Sequence, residues 1–532
     1  MVTKPDPWGP VLTRYPRPLQ DEPPHPMTAP DLGRPDRPLG SLVKHSAIYS
    51  TAPVLRQVIS VGMTRFYTGW LGPAGQGVKE NVDLWLIALQ QLLGQNVLSA
   101  MVRFYYDQKD ERERAGVVTS STILIVAAAF AVCGLALPFV PWLTPLFLGR
   151  GEIVGENELS KTCTLLLLLV PFQLGTVSGL YYLQALKRSG SFTSIQTVKL
   201  LFEVGLNVYL MGVRDLGVVG FLMSMLAGEI LTSVALVGWM LVHLRPRVDW
   251  KLLAPVVRYA APLVPVGILQ LLLHQADKRI VLELLGQSAA GVYGFGYRIA
   301  YLVTNMVLGP FVLTWQPWIF AVEDPAERAR LVARVSTYAV LTIALASLGV
   351  ILFGREAAFL LAGDPNFFDA YRVVPFLATG YVFWALYNVS QTPLFLAKRT
   401  GRLISVNLSA VVLNVALNYA LVPPYGIVGA AIATLATFAA IAALGMLASR
   451  RSAAVPFELG RLGVILACVT AGGATALFAD LAEDGGRIDY GQALLIKTGA
   501  LLVLSLLLWL GVLDTGERQR FETWVRERGR RA

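Results

Sequence analysis

Apolar residues run along the chain in repeated blocks of about 20, the length of helix that crosses a bilayer core. Fourteen such blocks lie near 46–69, 82–102, 117–140, 162–185, 193–213, 218–242, 260–284, 292–320, 336–358, 372–396, 403–422, 427–448, 462–482 and 492–513. Neither strand alternation nor a long polar stretch separates them, so the pattern predicts an all-α polytopic membrane protein of about 14 transmembrane helices. Arg56, Arg65 and Asp83 interrupt the first two blocks.

The pattern also repeats. LKRSGSFTSIQTVKLLFEVGLNVYL (186–210) aligns without gaps on AKRTGRLISVNLSAVVLNVALNYAL (397–421), a shift of 211 residues. DLGVVG and PYGIVG follow in the two copies. TRFYTGWLGPAGQG (64–77) aligns on KRIVLELLGQSAAG (278–291), a shift of 214, placing Arg65 on Arg279, Gly72 on Gly286 and Gly77 on Gly291. Each copy holds six spans, an even number, so both copies face the same way. This predicts two pseudo-symmetric six-helix lobes with a site between them near mid-membrane. The expected organisation is a disordered Pro-rich cytoplasmic tail (1–42), an N-lobe (43–243), a C-lobe (244–448), an extra helix pair (449–513) and a basic cytoplasmic tail (514–532).

Composition agrees. Of 532 residues 55% are hydrophobic and 15% charged, against roughly 25% charged in soluble proteins. The net charge of +10 would suit nucleic acid, but its distribution follows topology instead. Alternate connections and the two tails hold 31 Lys and Arg, and the opposite connections six: Lys79, Arg150, Lys161, Arg214, Arg355 and Arg487. That asymmetry puts both termini in the cytoplasm. Residues 1–40 contain 11 of the 30 prolines and cannot form a core. Cys133, Cys163 and Cys468 sit in apolar blocks without metal-ligand spacing, and only four histidines occur, His25, His45, His243 and His274. No catalytic motif, metal site or cofactor motif is present, no nucleic-acid partner is implied, and the short connections leave no room for a catalytic domain.

The charges inside the blocks carry the functional reading, because burial in the bilayer makes them costly. In HQADKRIVLE, His274 to Glu283, helical geometry places Gln270, His274, Asp277 and Lys278 within about 100° of one another. Arg279 and Glu283 fall on another side, where they could pair. The first face suits a wet central cavity, with Asp277 balancing charge. The second, with Arg65 at the equivalent place in the other copy, suits a structural anchor. Arg56, in the first block, and Arg298, in the eighth, have no acidic neighbour one turn away. With Lys278 they are uncompensated cations from both lobes, suited to phosphate oxygens. Lys199 and Glu203 lie one turn apart and would form either an internal bridge or an ion- or proton-coupling site. Glu229 is a lone carboxylate expected to be protonated or partnered.

AAGVYGFGYRIAYLVTNMVLGPFVLTWQPWIF, DKRIVLELLGQSAAGVY and PPYGIVGAAIATLAT resemble regions of the Wzx-type polysaccharide flippases, over about residues 44–450. That family belongs to the MOP superfamily, with MATE exporters and MurJ-type lipid II flippases. The resemblance implies alternating access in the inner membrane and undecaprenyl-pyrophosphate-linked oligosaccharide as cargo, for polysaccharide or lipopolysaccharide synthesis. It implies cavity cations that receive the pyrophosphate, here Arg56, Lys278, Arg298 and the neighbouring His274. It also implies an extra helix pair able to form a groove for the lipid tail, and polysaccharide synthesis or polymerase proteins as candidate partners. The rival readings are a cation-coupled MATE-type drug exporter, kept open by Glu203 and Glu229, and a membrane O-antigen ligase or polymerase, which short outer loops oppose.

Overall fold

A computed structural model describes residues 38–149, 154–186, 188–244, 249–308, 324–396, 400–453 and 455–519, with 311, 315, 319 and 322. The Pro-rich segment before residue 38, Lys187, Lys398 and Arg399 of the repeat, and the tail beyond 519 lie outside the described residues, as does the side chain of Arg56. No strand occurs among the described residues. The helices are α1 (Pro38–Gln90), α2 (Asn96–Asp107), α3 (Glu111–Ala136), α4 (Val140–Leu148), α5 (Glu156–Ala185), α6 (Ser189–Asn207), α7 (Gly217–Leu244) and α8 (Trp250–Ala260). There follow α9 (Leu263–Val303), α10 (Pro325–Leu352), α11 (Gly354–Leu361), α12 (Val374–Ser390), α13 (Thr392–Leu396), α14 (Thr400–Ala453), α15 (Leu459–Asp484) and α16 (Tyr490–Val512).

Among the described residues seven helices are long and apolar enough to cross a membrane, or up to nine if each bent pair is one span. The protein is a multi-pass membrane protein. That count is below the fourteen expected for two physical reasons. First, α14 and α9 are each counted at most once, although Gly426 (φ 58°, ψ −141°) and Gly286 (φ 85°, ψ −179°) break them. Second, α1 and α6 carry charges that lower their apolar character, Lys79, Glu80 and Asp83 in one and Lys199 and Glu203 in the other.

The repeat is visible in the backbone. Gly72 (φ 60°) breaks α1 and its counterpart Gly286 (φ 85°) breaks α9, each turning one helix into two rods. Gly217 (φ 50°) and Gly426 (φ 58°), from DLGVVG and PYGIVG, share the same left-handed conformation, which a side chain would strain. π-helical turns at Gln91–Gln95 and Thr304–Leu308 occupy matching places in the second rods. The two copies meet reciprocally. A Cβ added at Gly77 would collide with the backbone carbonyl of Gln287, and one at Gly291 with that of Pro73. Pro73 and Gln287 are themselves counterparts under the shift of 214, so the seam has the self-complementary character of a two-fold interface.

Two separate cores form, one centred on each copy. One gathers Val78, Leu98, Ile125, Leu166, Val170, Leu222 and Val256. The other gathers Tyr293, Val340, Leu377, Tyr381, Phe438, Ile465 and Leu508. Hydrophobic burial alone discriminates poorly between helices that lipid also solvates, so close approach and polar bonds matter. Gly175 and Gly179, one turn apart on α5, let Ser233 and Leu236 of α7 press against the backbone, and Thr122 bonds Ser178 at 2.5 Å. Helix α8 packs with the first core through Leu252, Val256 and Ala260. The C-terminal pair α15–α16 packs on the second, where Gly472 admits Leu348 of α10. Buried charges tie that attachment: Lys497, fully enclosed, reaches Asp480 at 2.6 Å and Glu356 at 2.7 Å. Arg355 joins Glu483 at 3.1 Å and Asp484 at 2.9 Å.

Candidate functional site

GPAGQGVKENVDLW reads as a connection because of its Gly, Pro and charges, yet beyond Gly72 the chain is helical again through Gln90. Gln76, Lys79, Glu80 and Asp83 are therefore helix residues at i, i+3, i+4 and i+7, on one side of the second rod of α1. Lys79 pairs with Asp83 at 2.7 Å. Glu80 is 5% exposed and turns toward the other copy, where Gly294 of α9 leaves its side chain room; a Cβ there would lie 2.5 Å from the Glu80 Cγ.

Three donors converge on that carboxylate. Lys278 Nζ donates to Oε2 at 2.9 Å, Arg298 Nη2 to Oε1 at 2.8 Å, and Gln76 Nε2 to Oε1 at 3.0 Å. Lys278 Nζ also lies 4.7 Å from the ring centre of Tyr297, a cation–π contact that shares its charge with an aromatic face. Glu80, Lys278, Arg298 and Tyr297 stand at the wall of a cavity of about 710 Å³ between the two copies, which Asp83, Gln90, Gln173, Gln270, His274, Gln275 and Tyr301 also line. The cations expected to be uncompensated are thus half-compensated. Lys278 and Arg298 share one carboxylate, which leaves one net positive charge in the trio. Glu80 escaped the sequence reading because hydropathy ended one block at 69 and began the next at 82; continued helical spacing from Gln76 to Asp83 was the signal that could have found it.

His274 lines the cavity, its ring edge-on to Trp384 with ring centres 4.5 Å apart. Asp277 does not share that face. It is 1% exposed, and its Oδ2 accepts from Tyr293 at 2.6 Å and from Thr434 at 3.0 Å. Helical spacing put it beside Lys278, but α14 packs against that flank with the Thr434 hydroxyl while Tyr293 of α9 supplies the other, so the carboxylate belongs to the second core and not to the cavity.

Arg279 and Glu283 also depart from expectation. They share a side of α9 but form no salt bridge; Glu283 Oε2 accepts from Tyr419 Oη at 3.4 Å, and among the described residues Arg279 Nη1 is buried without a hydrogen-bond partner. The other copy's Arg65 is exposed and donates to the Leu360 carbonyl at 2.8 Å. Beside it Thr68 Oγ1 accepts from the Gly363 amide at 2.7 Å. Arg65 thus ties the first copy to the C-terminal end of α11, where the helix dipole favours a cation.

A second polar cavity, about 340 Å³, opens inside the first copy and shares Gln90, Gln173 and Met225 with the central one. Lys199 Nζ lies there 2.5 Å from Glu229 and 3.5 Å from Glu203. Glu229 is therefore partnered, and the bridge within α6 extends to a triad with α7. Two carboxylates face one ammonium. Asn207, one turn on, donates to Tyr67 at 3.1 Å and accepts from Ser224 at 2.5 Å.

Residues 108–364 match a family model described as polysaccharide biosynthesis protein. No curated protein matches the sequence. Among solved structures, an inward-facing multidrug-resistance MATE family transporter of the MOP superfamily matches with a TM-score of 0.62 at 18% identity, over 77% of this chain and 98% of that one. The lipid II flippase MurJ in an inward closed conformation matches with a TM-score of 0.65 at 11% identity, over 86% of this chain and 98% of that one. A MOP superfamily transporter from Pyrococcus furiosus, described as having a binding pocket of reverse polarity, matches with a TM-score of 0.56 at 18% identity, over 78% of this chain and 95% of that one. The chain shares the fold of these solved structures, and the polysaccharide-biosynthesis match covers just under half of it.

Proposed function

We propose that the protein is an alternating-access flippase that moves undecaprenyl-pyrophosphate-linked oligosaccharide across the inner membrane, with both termini cytoplasmic, fourteen crossings, and two lobes meeting at the Gly77–Gly291 seam. The observation that carries this reading is the bridge from Glu80 to Lys278 and Arg298 at the head of a polar cavity. A pyrophosphate carries more charge and more acceptor oxygens than one carboxylate, and charge-assisted bonds to it are strong. On entering, it displaces Glu80 from the two cations. The displaced carboxylate belongs to the opposite lobe, so cargo binding loosens the contact that holds the lobes together beside the seam. Binding energy is thereby converted into a shift between conformations, as differential affinity requires. His274 and the glutamines offer neutral donors and acceptors to the sugar, and Arg56 is a further cation for the head group. Lys199, Glu203 and Glu229 form the coupling site, in a cavity that adjoins the central one. Polysaccharide polymerase or synthase proteins are the partners expected to take the product.

A second reading, a cation-coupled drug exporter, draws on the MATE-type fold likeness and on Glu80 and Asp83 at the cavity wall. Purified protein in liposomes preloaded with labelled undecaprenyl-pyrophosphate oligosaccharide separates the two. Wild type should transfer the lipid between leaflets, and Lys278→Ala and Arg298→Ala should each slow it while remaining folded. Export of cationic dyes without lipid transfer, under an imposed proton or sodium gradient, would reverse the assignment.

A further inference from the structure

Helix α9 presents two cations in succession, and they face different surroundings. Lys278 lines the polar cavity; Arg279, about 100° further round, lines an apolar groove of about 390 Å³. Its walls come from both copies, Leu84 and Trp85 of α1 on one side, Leu272 of α9 and Val415 and Tyr419 of α14 on the other, with Glu283 at its border beside Arg279. The groove is not isolated, because Leu271 and Gln275 border both it and the polar cavity. A molecule with a polar head in one could place an apolar tail in the other.

Arg279 decides what that molecule is. Among the described residues its Nη1 is buried without a hydrogen-bond partner, and Glu283, the acid one turn on, accepts from Tyr419 and acts on the guanidinium only through space, forming no salt bridge with it. A guanidinium donor left unpaired against apolar walls is costly. Phosphate oxygens satisfy it with two parallel bonds, while Leu84, Leu272 and Val415 suit a hydrocarbon chain. A lipid phosphate meets both demands at once.

Resting on the flippase reading above, we propose that this groove is a second seat for the cargo lipid. The isoprenoid chain passes Leu271 and Gln275 into the groove, and Arg279 takes the lipid phosphate as it leaves Lys278. The route lies between α1, α9 and α14, and does not use the C-terminal helix pair.

The test replaces Leu272 with the photoreactive residue p-benzoylphenylalanine, in protein reconstituted in phosphatidylcholine nanodiscs, with radiolabelled undecaprenyl phosphate as probe. Labelling is expected, falling at least about tenfold with Arg279→Gln, the loss of one charge-assisted contact, and largely kept with Arg279→Lys. Uncharged undecaprenol should label no better than the Arg279→Gln sample. Equal labelling of wild type and Arg279→Gln, or of the alcohol and the phosphate, overturns the proposal, as does full competition by phosphatidylglycerol. A parallel titration of inorganic pyrophosphate reports on the cavity. Pyrophosphate binding lost with Lys278→Gln, together with an unlabelled groove, sinks this inference alone; absence of both sinks the flippase reading with it.

Discussion

Lys278 Nζ and the Glu80 carboxylate stand 2.9 Å apart, although 198 residues separate them and each belongs to a different copy of the repeat. The bond is intramolecular, yet it acts as an interface contact between the two copies of the repeat. Removing one partner of such a buried pair costs about 3–5 kcal/mol, because the other charge is left unsolvated. Glu80→Gln should therefore lower the thermal stability of the empty protein. It should also raise affinity for inorganic pyrophosphate roughly tenfold or more, since the competing carboxylate is gone. Calorimetric titration measures this, and unchanged affinity would separate Glu80 from the anion site.

Asp277 provides the contrast. Asp277→Asn should destabilise the protein by about 1–3 kcal/mol through weakened bonds to Tyr293 and Thr434. Pyrophosphate affinity should stay within about twofold of wild type, because the side chain faces the second core. A large affinity change in the same titration would return Asp277 to the cavity.

At the seam, Gly77→Ala and Gly291→Ala each push a methyl into a carbonyl of the other copy. Overpacking of this kind costs about 1–3 kcal/mol, and it is felt only where the copies touch, since each keeps its own core. Both variants should fold and should shift the population toward the state with this side open. Electron–electron distance measurements between spin labels on Trp70 and Phe359 positions should show the longer distance gaining weight, to a similar degree in each variant. An effect at only one glycine would break the symmetry argument.

Lys497 should matter for attachment of the last two helices. Lys497→Met leaves Asp480 and Glu356 without their ammonium and should cost about 3–5 kcal/mol. Limited proteolysis of the connection between α15 and α16 should accelerate. A triple replacement that also neutralises Asp480 and Glu356 should recover much of the loss, and failure to recover would assign Lys497 another role.

The sequence by itself determined the class of the protein. Apolar block length, the bias of Lys and Arg between connections and the two shifted repeats need no tertiary information, since each is a property of spacing along one chain. Hence the all-helical membrane fold was legible, as was the correspondence of Gly72 with Gly286. Only the tertiary structure decided which charge meets which. Helical wheels rank directions within one helix but do not say what stands opposite. Asp277 was drawn away by Thr434, 157 residues on, and Glu229 was claimed by Lys199, 30 residues back. Glu80 was read as part of a connection, because Gly72 and Pro73 look like a loop when the chain in fact turns once and resumes its helix. Buried charges take their meaning from the partner that neutralises them, and here that partner lies on another helix.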